Sequence, residues 1–269
     1  MGSVESLIHR RWSNHNNENT NDVLSKMFAA LIKHDSSLVK KSELPRTVVV
    51  QLRDELKTFM LAGHETSAAM LTWSLFSIIN DNTTLEDQLV SEANSVFDNS
   101  KDWLKMSSSN IPDRVEELSK LDLSEGALRE SLRLYSVVPT VTRRAVEDIP
   151  LQGNFVVPKG ATIMINIQSV HHNPIYWPEP LKYDPHRFVS DNINHQPYTF
   201  LPFIDGPRNC LGQYLALLES KMVLSLLLQR YKFSMGQQFE KGKHGIDLRH
   251  PYMVPVIPEK GLHVRVQRR

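Results

Sequence analysis

The chain has 269 residues, 41% of them apolar and 23% charged, and its formal net charge at pH 7 is +1. That length allows a sizeable buried core, and the composition is that of a globular protein rather than a fibrous or unfolded one. A nearly neutral balance offers no electrostatic case for nucleic acid or an acidic substrate, and a single cysteine cannot close an intrachain disulfide.

Residues 1–21 read as a polar, disordered entry. The run Trp12-Ser13-Asn14-His15-Asn16-Asn17-Glu18-Asn19 is Asn-rich, and nothing here resembles a signal peptide. Asp22–Lys33 reads as a short amphipathic helix with Val23, Met27, Leu31 and Ile32 on one side. From about Thr47 to Asn80 a long helical pattern follows. Leu52, Leu56, Phe59 and Met60 keep the helical period, and the second half is apolar nearly all round, so it should be buried. Its most apolar region, Ala68–Ile79, is broken by Thr72, Ser74 and Ser77 and is too short to span a membrane, so no span is expected and the chain reads as soluble.

Thr84–Phe97 and Leu118–Tyr135 read as further helices, with a loop over 101–113. After Pro139 the pattern changes. Gly153–Val157, a Pro158-Lys159-Gly160 turn and Thr162–Ile167 predict a β-hairpin. Asn173–Phe188 carries prolines at 174, 178, 180 and 185, which predicts ordered but irregular chain. Leu211–Tyr231 is a second strongly apolar helix. The tail, Ile246–Val266, predicts short strands around a Pro258–Gly261 turn.

Three short motifs carry chemistry. The first is the decapeptide 203–212, Phe-Ile-Asp-Gly-Pro-Arg-Asn-Cys-Leu-Gly, which holds the sole cysteine and runs into the last helix. A cysteine just before a helix meets unpaired N–H groups and the positive end of the helix dipole, and both favour the thiolate. By itself, a lone cysteine reads first as a small buried hydrophobe. The second is Glu130-Ser131-Leu132-Arg133, a carboxylate and a guanidinium one helical turn apart, which in isolation is a surface ion pair of little worth. The third is Ala62-Gly63-His64-Glu65-Thr66-Ser67, midway along the long helix, which in isolation is a glycine-weakened turn with small polar residues. His64 lacks the second histidine of a zinc helix, and His171 and His172 read as surface or packing residues rather than ligands.

The decapeptide fills every fixed position of the haem-binding loop of cytochromes P450: Phe, two residues, Gly, one residue, Arg, one residue, Cys, one residue, Gly. The other two motifs resemble that family as well, in the expected order. The resemblance implies a fold that is mainly α with short β-sheets. It implies haem b (iron protoporphyrin IX), with Cys210 as axial iron ligand, Arg208 and Arg143 on its propionates, and Phe203, Gly206 and Gly212 shaping the loop. Arg143 stands ten residues after Arg133, and Arg144 is the second choice for that role; Ser136 stands where proline is usual. Small Ala62 and Gly63 would let the long helix pass close to the haem, Thr66 would hold dioxygen or a water, and Glu65 would relay protons. Glu130 and Arg133, with Arg187 from Tyr183-Asp184-Pro185-His186-Arg187-Phe188, would form a structural network.

The activity implied is insertion of one oxygen atom into an apolar small molecule of the lipid, sterol, terpenoid or carotenoid class. No Gly-x-Gly-x-x-Gly follows a strand, so NADPH would act only indirectly, through an NADPH–cytochrome P450 reductase or a ferredoxin-type donor. Lys221, Arg230 and Lys232 could meet an acidic reductase or form a solvated helix face. The resemblance runs from about residue 22 to the end as one domain, 22–269, and matches only the C-terminal part of a P450. Met1-Gly2-Ser3 therefore reads as the start of a truncated isoform or an incomplete gene model. Its parent is expected to be anchored in the endoplasmic reticulum membrane, with the plastid as second choice. The alternative is a non-catalytic remnant that holds haem weakly or not at all.

Overall fold

The computed structural model describes residues 3–14, 22–80, 84–97, 111–189, 196–236, 255–258 and 261–269. Helices dominate: α1 (Val4–Ser13), α2 (Val23–His34), α3 (Arg46–Asn80), α4 (Leu85–Val96), α5 (Ile111–Ser119), α6 (Asp122–Leu134), α7 (Ile167–His171) and α8 (Gln213–Arg230). Short strands β1 (Thr140–Arg144), β2 (Ile149–Pro150), β3 (Val156–Val157), β4 (Thr162–Asn166), β5 (Tyr231–Met235) and β6 (Val264–Arg268) form two-stranded sheets. The chain divides into two units, 1–65 and 66–269, at a point inside α3.

The first unit has its own core. Ile8 and Trp12, four residues apart on α1, meet Leu24 and Phe28 of α2 and Val49 and Leu52 of α3. Trp12 stands edge-on to Phe28, with centroids 5.1 Å apart, and its indole N–H donates to the Lys41 carbonyl. Ser3 caps α1 and Asp22 caps α2, each accepting a backbone N–H one turn on. Glu5 receives both Arg46 and Arg53, at 2.7 and 2.9 Å. The disordered entry expected over 1–21 is therefore corrected for residues 4–13. The polar average hid two large apolar anchors at helical spacing. The rest of that run, 15–21, lies outside the described residues.

In the second unit the buried stripe of α3 (Ala69, Met70, Ile78) joins Leu85 and Leu89 of α4, Ala127, Leu128 and Leu132 of α6, and Leu224 and Leu228 of α8 in one core. Trp73 stacks on Tyr135 at 4.3 Å and donates its indole N–H to Val256. The bare N-terminus of α6 is capped from outside. Glu92 of α4 accepts the N–H groups of Leu123 and Ser124 at 2.7 and 2.8 Å, which satisfies orphan donors and places a negative charge on the positive helix end.

The predicted hairpin pairs differently. β4 lies antiparallel to β1, with Arg143 opposite Ile163, while β3 pairs with β2. Gly153 and Asn154 both take positive φ, 75° and 64°. They make the turn of the small β2–β3 hairpin instead of continuing a strand. Of the loop expected over 101–113, residues 111–113 instead belong to α5, and 101–110 lie outside the described residues. Of the predicted tail strands, β6 is described and pairs with β5, and 246–254 lies outside the described residues.

Gly126 faces the turn 185–188 so closely that a Cβ there would lie 2.6 Å from the Pro185 carbonyl oxygen. Alanine would gain up to about 1 kcal/mol of helix propensity. It would also push against backbone, at about 1–3 kcal/mol. Gly126→Ala is therefore expected to lower the unfolding midpoint in a denaturant titration, where an exposed helical glycine would raise it.

Candidate functional site

The cysteine loop is built from its own backbone. The Ile204 N–H returns to the Leu201 carbonyl at 3.2 Å, and Ile204 itself has φ of +62°. Asp205 Oδ1 accepts the Gly206 N–H at 2.6 Å. Gly206, at φ +77°, starts a single 3₁₀ turn through Arg208, and only glycine takes that conformation without strain. The loop closes where the Cys210 N–H donates to the Phe203 carbonyl at 2.9 Å. Phe203, half-buried, packs with Ala216 and Leu217 against the core, so the loop is anchored at its first residue.

Cys210 is a free, exposed thiol, and Arg208 is exposed as well. A Cβ added at Gly206 or Gly212 would meet nothing within 4 Å. Leu211, Tyr214 and Leu215 beside them are exposed apolar residues. An open, apolar surface around one sulfur fits a flat macrocycle that brings its own metal and needs a single protein ligand. Among the described residues no cluster of three or more His, Cys, Asp or Glu could hold a bare ion instead. Haem therefore fits the residues present, with Cys210 as the ligand that would face its iron and Arg208 in the same loop.

Glu130, Arg133 and Arg187 are brought together. Both Glu130 and Arg133 are completely buried. The pair is bidentate, with Arg133 Nε and Nη2 each 2.8 Å from a Glu130 oxygen. Arg133 Nη1 donates to the carbonyls of His171 (2.9 Å) and Pro180 (2.6 Å), and Nη2 also reaches Lys182 at 3.2 Å. Its guanidinium lies 5.1 Å from the Trp177 ring centroid. Glu130 further accepts the Asp184 N–H at 3.0 Å and has Arg187 Nε at 3.3 Å. The Arg187 Nη2 goes to the Glu179 carbonyl. One carboxylate thus stands between two guanidinium groups, and three backbone carbonyls take the Arg133 N–H donors that Glu130 does not.

The other sequence-predicted residues lie elsewhere. Ala62, Gly63 and Glu65, all exposed, close the first unit, as does His64; half-buried Thr66 opens the second. Arg143 is half-buried on the same face of β1 as Val141 and Ala145, with its guanidinium on the Thr142 carbonyl at 2.9 Å. Arg144, on the opposite face, is exposed.

Sequence reasoning missed the place of His171. It is fully buried, with Nε2 accepting the Leu201 N–H at 2.8 Å and Nδ1 3.0 Å from Ser136 Oγ. Gln168 completes the patch, accepting the Ser136 N–H at 3.0 Å and donating to the Leu134 carbonyl at 2.7 Å. These side chains cap the C-terminal end of α6. Only a turn of clustered polar residues (Gln168, His171, His172) four strands after the end of α6 could have signalled it. Burial, then the positive charges of Arg133 and His172, lower the His171 pKa to about 3.

Two outcomes are expected. Arg133→Ala leaves the Glu130 charge buried and should cost about 3–5 kcal/mol of stability, measured by denaturant unfolding. The His171 pKa is depressed from its ordinary 6.5 to about 3, so the unfolded state takes up the proton first. Its contribution is complete above pH 6.5 and is lost as pH falls towards 3, at about 1.4 kcal/mol per pH unit. Unfolding free energies of wild type and His171→Gln across that window should differ in slope by this one-proton share.

A model of the cytochrome P450 family matches residues 3–254. Human cytochrome P450 4F8 is 35% identical over 222 residues, covering 80% of this chain and 38% of that protein. Cytochrome P450 4c21 of Blattella germanica is 33% identical over 204 residues, 76% of this chain and 38% of that protein. Human cytochrome P450 4V2 is likewise 33% identical, over 81% of this chain and 38% of its own length. The chain thus spans less than two-fifths of these curated relatives. The crystal structure of the cytochrome P450DA heme domain superposes with a TM-score of 0.76 at 23% identity, over 98% of this chain and 54% of that one. Fold, cysteine loop and family match agree: the chain belongs to the cytochrome P450 family.

Proposed function

We propose that this chain carries the cysteine side of a haem-thiolate monooxygenase that places one atom of dioxygen in an apolar small molecule, the other leaving as water. The observation that carries this reading is the closed 203–210 loop, which presents the only cysteine of the protein on an open apolar surface. Bound haem would supply the dioxygen chemistry, with a thiolate ligand favouring cleavage of the O–O bond. Cys210 holds the iron side. Arg208 and Arg143 neutralise propionate charge, Arg143 in preference to Arg144. Thr66 offers a hydroxyl and Glu65 a carboxylate from α3, the pair that would hold a water and pass a proton. Ala62 and Gly63 have the smallest side chains of that turn and keep its surface low.

Glu130, Arg133 and Arg187 act as a structural unit. They fix the 171–187 chain upon which the cysteine loop is mounted, and none of them offers a free proton or a nucleophile. Electrons reach the site from a partner, an NADPH-dependent reductase or a ferredoxin-type protein. The substrate belongs to the lipid, sterol, terpenoid or carotenoid class. The protein works at the endoplasmic reticulum membrane. Among the described residues, no helix is long and apolar enough to cross a membrane.

The reading is tested on the sulfur. Cys210→His should remove the thiolate-type absorption of the reduced, carbon-monoxide-bound protein, whether or not haem remains bound. An unchanged spectrum would end the assignment. Thr66→Ala in active protein should divert electrons to peroxide while substrate still binds, with product formation falling about 10²-fold or more, the size of effect usual for a lost proton-transfer group. Tight coupling of electron use to product in that variant would remove the proton role of Thr66.

A further inference from the structure

Position 136 departs from the family pattern, where proline is usual, and the structure shows what the serine does there. The Leu201 backbone N–H lies 2.8 Å from His171 Nε2. A backbone amide can only donate, so Nε2 must carry the lone pair. In neutral imidazole the proton then sits on Nδ1, which donates to Ser136 Oγ at 3.0 Å. With its oxygen accepting, the serine hydroxyl sends its own proton to the Leu132 carbonyl at 3.3 Å. Every bond in this series points one way, from Leu201 to the last turn of α6.

The series is sealed from water, since His171 is fully buried and Ser136 is 2% exposed. The charged and titratable groups around it keep it neutral. Arg133 of α6 donates to the His171 carbonyl, and His172 follows it in sequence. Burial against both disfavours an imidazolium, which would have no lone pair for Leu201. Phe200 packs on the imidazole with centroids 5.3 Å apart. Leu201 stands two residues before Phe203, whose carbonyl holds the Cys210 amide. Proline at 136 would remove the hydroxyl and also the N–H that Gln168 accepts.

We propose that Ser136 and His171 are positioning residues. The serine hydroxyl fixes the histidine tautomer, and the histidine then holds the Leu201 amide and so sets where the cysteine loop begins. The hydrogen-bond series stands on geometry alone; its meaning for haem rests on the reading of Cys210 given above.

The test uses the full 269-residue chain. Long-range proton–nitrogen NMR of the wild-type imidazole should show the proton on Nδ1, the rarer form of free histidine, and this needs no variant. Ser136→Ala should speed amide exchange at Leu201 about tenfold, the effect of one lost hydrogen bond, and Ser136→Thr should restore it. The amide of Leu89, deep in α4, serves as control and should not change. In haem-loaded protein, Ser136→Ala should convert part of the thiolate-type carbonyl spectrum to the thiol type, again with rescue by threonine. Several results would overturn the proposal: a proton on Nε2 in wild type, an unaltered Leu201 rate in Ser136→Ala, or equal acceleration at Leu89. If Cys210→His leaves the spectrum unchanged while the tautomer and exchange results hold, the positioning series stands and the haem-ligand assignment falls.

Discussion

A guanidinium with no access to water organises the larger unit. Arg133 could not be buried alone, since an unpaired charge in the interior costs several kcal/mol or more. Its cost is met by the bidentate Glu130 and by the carbonyls of His171, Pro180 and Lys182. Those carbonyls belong to a Pro-rich stretch that has no regular backbone ladder to satisfy them. The two needs are complementary. A planar fork of donors replaces the missing secondary structure of 171–184, and that irregular stretch supplies the acceptors the fork requires.

From this centre the order extends outward by contact. Trp177, beneath the guanidinium, donates to the Thr199 carbonyl and joins Phe188 and Phe200 in an aromatic group. His171, whose carbonyl Arg133 holds, receives the Leu201 amide with its ring. The chain that enters the cysteine loop is therefore fixed on both sides before the loop starts. Beyond Phe203 the loop relies on its own turns. Lys221 and Glu125, at 2.7 Å, and the Ser124–Ser225 contact tie α8 back to α6, so both ends of the loop refer to one helix.

What could be read from sequence follows from how local each constraint is. The cysteine loop was legible because its turns are made by the residues themselves: a positive φ that wants glycine at 206, an aspartate that caps it, and a proline as the turn's second residue. The long helices were legible from their apolar period. The Glu130–Arg133 spacing gave the pair, and only the fold could show that three carbonyls close around its guanidinium. Helix α1 was hidden because its two anchors, Ile8 and Trp12, sit in a mostly polar segment and gain their value from Phe28 and Leu52. The strand pairing was misread because β4 takes its partner from β1, across the small β2–β3 hairpin. His171 was read as a packing or surface residue because nothing local marks the amide and hydroxyl that complete its ring.

The exposure of Cys210 has a consequence for the protein as a reagent in solution. A chain with one thiol on its surface can form one covalent link and no more. Oxidation in air therefore stops at a pair of chains joined sulfur to sulfur and cannot continue to a polymer. Any group that covers the sulfur forbids even that link. The yield of covalent dimer under a mild oxidant is thus a direct count of the molecules whose sulfur is uncovered, readable on a non-reducing gel without a spectrum.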